Sequence, residues 1–234
     1  MNRFVVSVLL VGCGGGGTTE LDNLGLELVT ASCAKQFDCC TDAEIMQQYM
    51  GITYNGQPIT TEEQCVEFSN AVFTGLAIPH YKDSLAMGRI EYDGEAAADC
   101  IAEIGSLSCT EYGTSRNGDF PLECRPFLLP KVADGGGCTE DYECTSHNCV
   151  GATDQPNGPS TDGMCKPMPA AGQPCDDNCA TGLRCAYDQS AGMDVCQAKK
   201  ADGMQCNVAD ECTSDYCDRA TRMCGTKPLT CDGR

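Results

Sequence analysis

Between Cys138 and Cys224 twelve cysteines fall into three blocks of four, and each block opens on Ala or Asp, Gly, two further residues and Cys. Cys138, Cys144 and Cys149 are separated by five and then four residues, as are Cys206, Cys212 and Cys217. Nine residues separate Cys165 from Cys175 and again Cys196 from Cys206, so consecutive blocks are joined by spacers of equal length. The middle block, Cys175, Cys179, Cys185 and Cys196, keeps the opening and departs from the internal spacing. A chain cross-linked this densely can fold only into small, turn-rich units held by disulfides.

Composition decides whether the bridges supplement a core or replace one. From Asp134 to Arg234 only Val150, Leu183, Val195, Val208 and Leu229 represent Leu, Ile, Val and Phe among 101 residues, and the same stretch holds thirteen cysteines. That is far below the ~20% apolar content an ordinary core needs, and above the ~8–10% cysteine that marks a disulfide scaffold. Residues 21 to 133 carry 26 such apolar side chains in 113 residues, enough for a modest packed domain. The sequence therefore divides near Val132 to Asp134 into a conventional half and a cross-linked half. Among 21 cysteines no Cys-x-x-Cys pair occurs, which argues against zinc ribbons and thioredoxin-type redox sites. Disulfides persist in oxidising compartments, so the chain is expected to be exported.

The first residues fit export. Met1 to Arg3 give a short positive start and Phe4 to Leu10 an apolar run too short to span a bilayer. Leu10, Val11, Gly12 and Cys13 then resemble a bacterial lipobox, which implies a signal peptide over 1–12 and lipid attachment to Cys13. Removing Cys13 from the thiol pool leaves twenty cysteines, an even number that can close ten bridges. Gly14 to Gly17, Thr18 and Thr19 suit a flexible tether over 13–20. In lipoproteins a residue other than Asp after the lipidated Cys implies the outer membrane, and here it is Gly14.

Helical periodicity begins at Leu21. Leu21, Leu24 and Leu28, with Val29, Cys33, Phe37 and Cys40, predict one amphipathic helix. Thr41 with Glu44 forms a capping box for a short second helix carrying Ile45 and Tyr49 and ended by Gly51, and Asn55-Gly56 marks a turn. Thr60 with Glu63 predicts a third helix through Cys65, Phe68, Val72 and Leu76, stopped by Pro79. Asp93 caps a fourth through Ala97, Cys100, Ile101, Ile104 and Leu107. The expected fold class is thus small and disulfide-rich: an all-α, disulfide-stapled domain over 21–112, a loop-rich connector over 113–133, and repeats at 134–165, 172–196 and 202–224 with minimal β-hairpins and a tail. Val150 to Met164 reads as an exposed insertion in the first repeat.

Spacing leaves pairing open, because four cysteines allow three connectivities. First-to-third and second-to-fourth linkage is taken as the working expectation: Cys138–Cys149, Cys144–Cys165, Cys175–Cys185, Cys179–Cys196, Cys206–Cys217 and Cys212–Cys224. Cys33, Cys39, Cys40, Cys65, Cys100, Cys109, Cys124 and Cys231 have no assigned partners at this point. Cys39 and Cys40 point about 100° apart on a helix and so require two different ones. Seven of these eight precede the array, so parity favours a bridge from Cys231 back to that group.

The lipobox, the Cys and Cys-Cys helical segment, the stretch from Gly88 to Cys100 and the repeats together resemble cysteine-rich lipoproteins of myxobacteria and related predatory bacteria. Cys138 to Cys144 and Cys206 to Cys212 are also similar to the amino-terminal cysteine-rich domain of Dickkopf proteins, a partial match that carries no receptor binding. The resemblance implies location and architecture, not chemistry.

Catalytic patterns are sparse. His80, after Pro79, and His147, between two cysteines, are the two histidines and show no recognisable partner in sequence. Oxidised cysteines cannot act as nucleophiles. Asp176-Asp177 and Asp210-Glu211 read as solvated turns, and Asp154 to Gly163 matches a calcium loop poorly. No glycine-rich phosphate loop precedes a helix. Without Arg3 the chain carries 34 acids against 14 basic residues, which disfavours nucleic acid as a partner. The sequence thus predicts a non-enzymatic, membrane-anchored envelope protein that binds an unknown protein or glycan. It predicts no cofactor, no metal and no catalytic residue. A secreted hydrolase or protease inhibitor, or a calcium-stabilised repeat protein, are the alternatives.

Overall fold

The computed structural model describes residues 17–115, 124, 126–153, 162–176, 178–226 and 231. Cys13, the expected signal peptide and the first half of the expected tether lie outside them. The chain is disulfide-rich, with a helical amino-terminal region and short two- or three-stranded antiparallel sheets.

Helix α1 (Leu21–Cys39) is the spine of the helical region. It is followed by α2 (Asp42–Gln48), the hairpin β1 (Thr53–Tyr54) and β2 (Gln57–Pro58), and α3 (Glu62–Val72). The Thr41–Glu44 capping box is formed, satisfying two amide donors at the start of α2. Asn55 and Gly56 both adopt positive φ in the β1–β2 turn, as a two-residue hairpin connection requires. At α3 the cap is Thr61 with Gln64, one residue beyond the expected Thr60 with Glu63. The Gln64 side chain also accepts from the Thr60 amide, so the next polar pair in line supplies an equally good box.

Pro79 does not stop the third helix. The axis continues through a π-turn (Phe73–Ala77) into α4 (Ile78–Ala86), where Pro79 occupies the first turn. The Ile78 amide donates to the Phe73 carbonyl. Widening the turn by one residue accommodates a proline that lacks an N–H and crowds the preceding turn. Next come β3 (Ile90–Tyr92), α5 (Gly94–Ser106) and α6 (Cys109–Ser115). Helix α6 was missed in sequence, although Ser108 and Glu111 form the reciprocal bonds of a capping box. The region is therefore not all-α, and the expected connector is partly structured: β4 (Leu128–Pro130) pairs with β3. The end of the expected tether is docked as well. Thr19 is buried, its amide donates to the Gly94 carbonyl at 2.9 Å, and Tyr92 donates to its carbonyl at 2.8 Å. A Cβ at Gly94 would lie 2.7 Å from the Thr19 oxygen, so only glycine admits this approach.

The array contains β5 (Gly137–Cys138), β6 (Cys149–Val150) and β7 (Gly163–Cys165) in one sheet, ordered β5-β7-β6. The hairpin β8 (Leu183–Asp188) and β9 (Met193–Ala198) follows, then β10 (Cys217–Asp218) with β11 (Met223–Cys224). The geometry explains the recurring opening motif. Gly135, Gly172 and Gly203 all have positive φ, and each donates its amide at 2.8 Å to the carbonyl of the last cysteine of its block, Cys165, Cys196 or Cys224. The amides of those cysteines donate back to Gly136, Gln173 and Met204. Each block is thereby closed on itself, the middle one included, and in the first and third the interior is largely sulfur. Cys138, Cys144 and Cys165 form one buried cluster, Cys206, Cys212 and Cys224 another.

Candidate functional site

The structure joins Cys33–Cys65, Cys39–Cys109, Cys40–Cys231 and Cys100–Cys124 in the helical region. In every block of the array the first cysteine joins the third and the second joins the fourth: Cys138–Cys149 and Cys144–Cys165, Cys175–Cys185 and Cys179–Cys196, Cys206–Cys217 and Cys212–Cys224. The vicinal pair diverges, Cys39 to α6 and Cys40 to the far end of the array. The seven residues from Cys224 to Cys231 can span at most about 25 Å. The third block must therefore lie within that reach of the end of α1. An extended rod attached at one end is excluded; the array is clamped at both ends.

At its near end the clamp is polar and buried. Glu143, at 0% exposure, accepts from Ser84 Oγ at 2.5 Å, the Thr139 amide at 2.7 Å, Thr139 Oγ1 at 3.2 Å and Arg89 Nη1 at 3.4 Å. Arg89 also reaches Asp162 at 3.0 Å. Tyr81 packs edge-on against Tyr142 with ring centroids 5.3 Å apart. Burial pushes the Tyr142 hydroxyl up to about 12, although its bond to Ser84 acts the other way and nearby carboxylates add to the rise.

The third block repeats this device. Glu211 is also buried, accepts from Lys200 Nζ at 2.6 Å and the Asn207 amide at 3.1 Å, and lies 3.5 Å from Arg184. The bond from Lys200 holds its carboxyl below the usual carboxylate range against the opposing effect of burial. Val132 and Lys200 form equivalent parallel bridges to Cys144 and Cys212. In both blocks the acid preceding the second cysteine thus plugs into a cation of the preceding unit. The reading of Asp210-Glu211 as a solvated turn is corrected for Glu211; Asp210 stays exposed. Asp177 lies outside the described residues.

The histidines have structural occupations. His147 has positive φ and donates its amide to Cys144, as Asp215 does to Cys212, so its place is a tight turn that a carboxylate side chain serves equally well. His80 does have a partner: its Nδ1 lies 2.9 Å from Glu140 Oε1 across the junction. Residues 60 apart in sequence could not be paired from spacing. A histidine oriented by a carboxylate is half of a hydrolytic triad. Ser84, one helical turn on, is 1% exposed and donates its hydroxyl to Glu143, so this serine neither bonds His80 nor faces a substrate. Among the described residues, the groups of three potential metal ligands all include bridge sulfurs, and an oxidised sulfur lacks the thiolate that metals bind.

A feature of different character lies in the helical region. A cavity of about 400 Å³ opens between α1, α3, α5 and α6, with Leu28, Phe68, Val72, Phe73 and Ile104 in its walls. One end is polar and uncharged: buried Gln36 donates to Gln48 at 2.9 Å and accepts from the Tyr49 hydroxyl at 3.2 Å. Sequence periodicity assigned Leu28, Phe68, Val72 and Ile104 to helix faces, but it could not show that the faces fail to close. The signals were Ser32 and Ser69, small residues on inward faces that line the gap.

No family model, curated protein or solved structure matches the chain. Among the described residues no helix is long and apolar enough to cross a membrane.

Proposed function

We propose that the protein is a non-enzymatic lipoprotein of the cell envelope, exported, anchored through Cys13 to the outer membrane, and presenting a disulfide-built array that binds a surface partner, protein or glycan. The observation that carries this reading is the bridge inventory. Ten bridges take up twenty cysteines, and the remaining one is Cys13, directly after Leu10-Val11-Gly12. A lone thiol at the end of an export signal, in a chain otherwise saturated with disulfides, fits lipid attachment better than a missing bridge. The array suits display: its fold tolerates exposed turns because cystine clusters hold it. Its attachment at both ends limits how far those turns can move from the helical region.

Mass spectrometry and detergent-phase partitioning of protein purified from its own host test the reading. Native protein should carry an acyl mass increment on Cys13, contain ten bridges and enter the detergent phase, and Cys13→Ser should move it to the aqueous phase. An unmodified Cys13, or native protein that stays aqueous, overturns the anchoring. The His80–Glu140 pair keeps hydrolysis as the second reading. Activity abolished by His80→Ala with the fold intact would favour it over the binding role.

A further inference from the structure

We infer that the cavity between α1, α3, α5 and α6 is a binding site for an uncharged, largely hydrocarbon molecule with one hydrogen-bonding end, of the class of long-chain alcohols and monoacylglycerols. Size comes first: about 400 Å³ falls within the range of small-molecule sites. Construction comes second. The helices around it are already fixed by Cys33–Cys65, yet Ser32 and Ser69 occupy inward positions where a larger apolar side chain would close the gap. The wall also contains the start of the π-turn, at Phe73, and widened turns of this kind recur at functional sites. Val72 lines the cavity and is 43% exposed, and Leu76 beyond it is 65% exposed, which gives an apolar way in.

Charge selects the ligand class. None of the fifteen lining residues is Asp, Glu, Lys, Arg or His, in a chain with 34 acids and a net charge of −19. An anionic head would find no countercharge in the cavity and would meet a repulsive field outside it. The Gln36, Gln48 and Tyr49 groups offer amide and hydroxyl chemistry to a neutral head instead. The inference does not depend on how the chain is anchored.

The neutral fluorophore N-phenylnaphthylamine, titrated into full-length Cys13→Ser protein without detergent, provides the test. Saturable one-to-one enhancement is expected. Ser69→Leu, which fills the cavity, should weaken it at least about tenfold while raising the melting temperature. Monolaurin should displace the probe, and laurate, the same chain with a negative charge, should need about tenfold more. Absence of saturable binding, or unchanged binding in a folded Ser69→Leu variant, overturns the site. Displacement by laurate at equal or lower concentration overturns the ligand class. Native lipidated protein that refuses the probe while Cys13→Ser protein accepts it would assign the cavity to the chain's own acyl group and overturn a free ligand. If Ser69→Leu does not fold, crosslinking of the wild-type chain by a photoactivatable long-chain alcohol decides. Label on α1 and α3 supports the site; label elsewhere, or none, overturns it.

Discussion

Cys33–Cys65 and Cys138–Cys149 are chemically the same bond, yet they hold together different kinds of structure. The first links α1 to α3 beside Ile59, with Phe37, Tyr49 and Phe68 packed around it. The second lies in a cluster whose buried members are other cysteines, with Val132 as the neighbouring aliphatic side chain. In the helical region bridges lock faces that water already drives together, whereas in the array the bridges are the interior. Hydrophobic stabilisation is roughly proportional to the area buried, and a half with five Leu and Val residues and no Ile or Phe has little area to bury. Loss of unfolded-state entropy, ~2–4 kcal/mol per bridge, takes over there.

Complete reduction should break the comparison open with the largest effect. Amide exchange should become unprotected throughout 134–226 while circular dichroism retains part of the helical signal. A single cooperative loss of both halves would show that the array and the helices form one folding unit. Glu143→Ala comes next. It leaves Arg89 and the Thr139 amide facing a buried gap at the junction, at an expected cost of about 3 kcal/mol in denaturant unfolding. Glu211→Ala should cost less, because Lys200 is about one-third exposed and can rehydrate.

Replacing Cys40 and Cys231 together by Ser should then cost ~2 kcal/mol. It should raise exchange in the third block more than in the first, which keeps its polar clamp.

The smallest effects are those of pH. The Glu211 carboxyl is held below its ordinary value of 4.5. Its contribution is therefore complete above that pH and is lost as the pH falls through the depressed value; Lys200→Met should remove most of this acid sensitivity. The Tyr142 hydroxyl, and that of Tyr92 on Thr19, are raised from 10.0 to about 12, chiefly by burial. Their neutral forms stabilise the fold fully below pH 10, and that contribution is lost as the pH rises towards 12. Tyr142→Phe should flatten the alkaline limb of a stability titration at the junction, and Tyr92→Phe at the amino-terminal dock.

Local chemistry was legible wherever the determining residues lie close in sequence. Thr41 with Glu44, Asp93 as a cap, the Asn55-Gly56 turn and the glycine that opens each repeat all act within a few residues of themselves. Even there proximity misled twice. The Thr60 box lost to the one beside it, and Pro79 was absorbed by a widened turn because α4 had packing partners in β3 and the first repeat. The polar junction was not legible, since Ser84 and Arg89 meet Glu143 from more than fifty residues away. An acid beside a cysteine reads as solvated until its cation is known. The cavity was not legible either, because an amphipathic face states what is apolar and not whether the opposing face reaches it.

By itself the sequence determined how many bridges could form, that they must supply the interior of the carboxy-terminal half, and where each repeat begins. Cysteine number, aliphatic scarcity and turn residues are properties of the chain alone. Only the tertiary structure decided which sulfur meets which, that Cys231 returns to Cys40 and clamps the array at both ends, and that Glu143 is buried beneath the junction. Those outcomes depend on side chains distant along the chain arriving together, and arrival is set by packing and loop closure, which spacing does not encode.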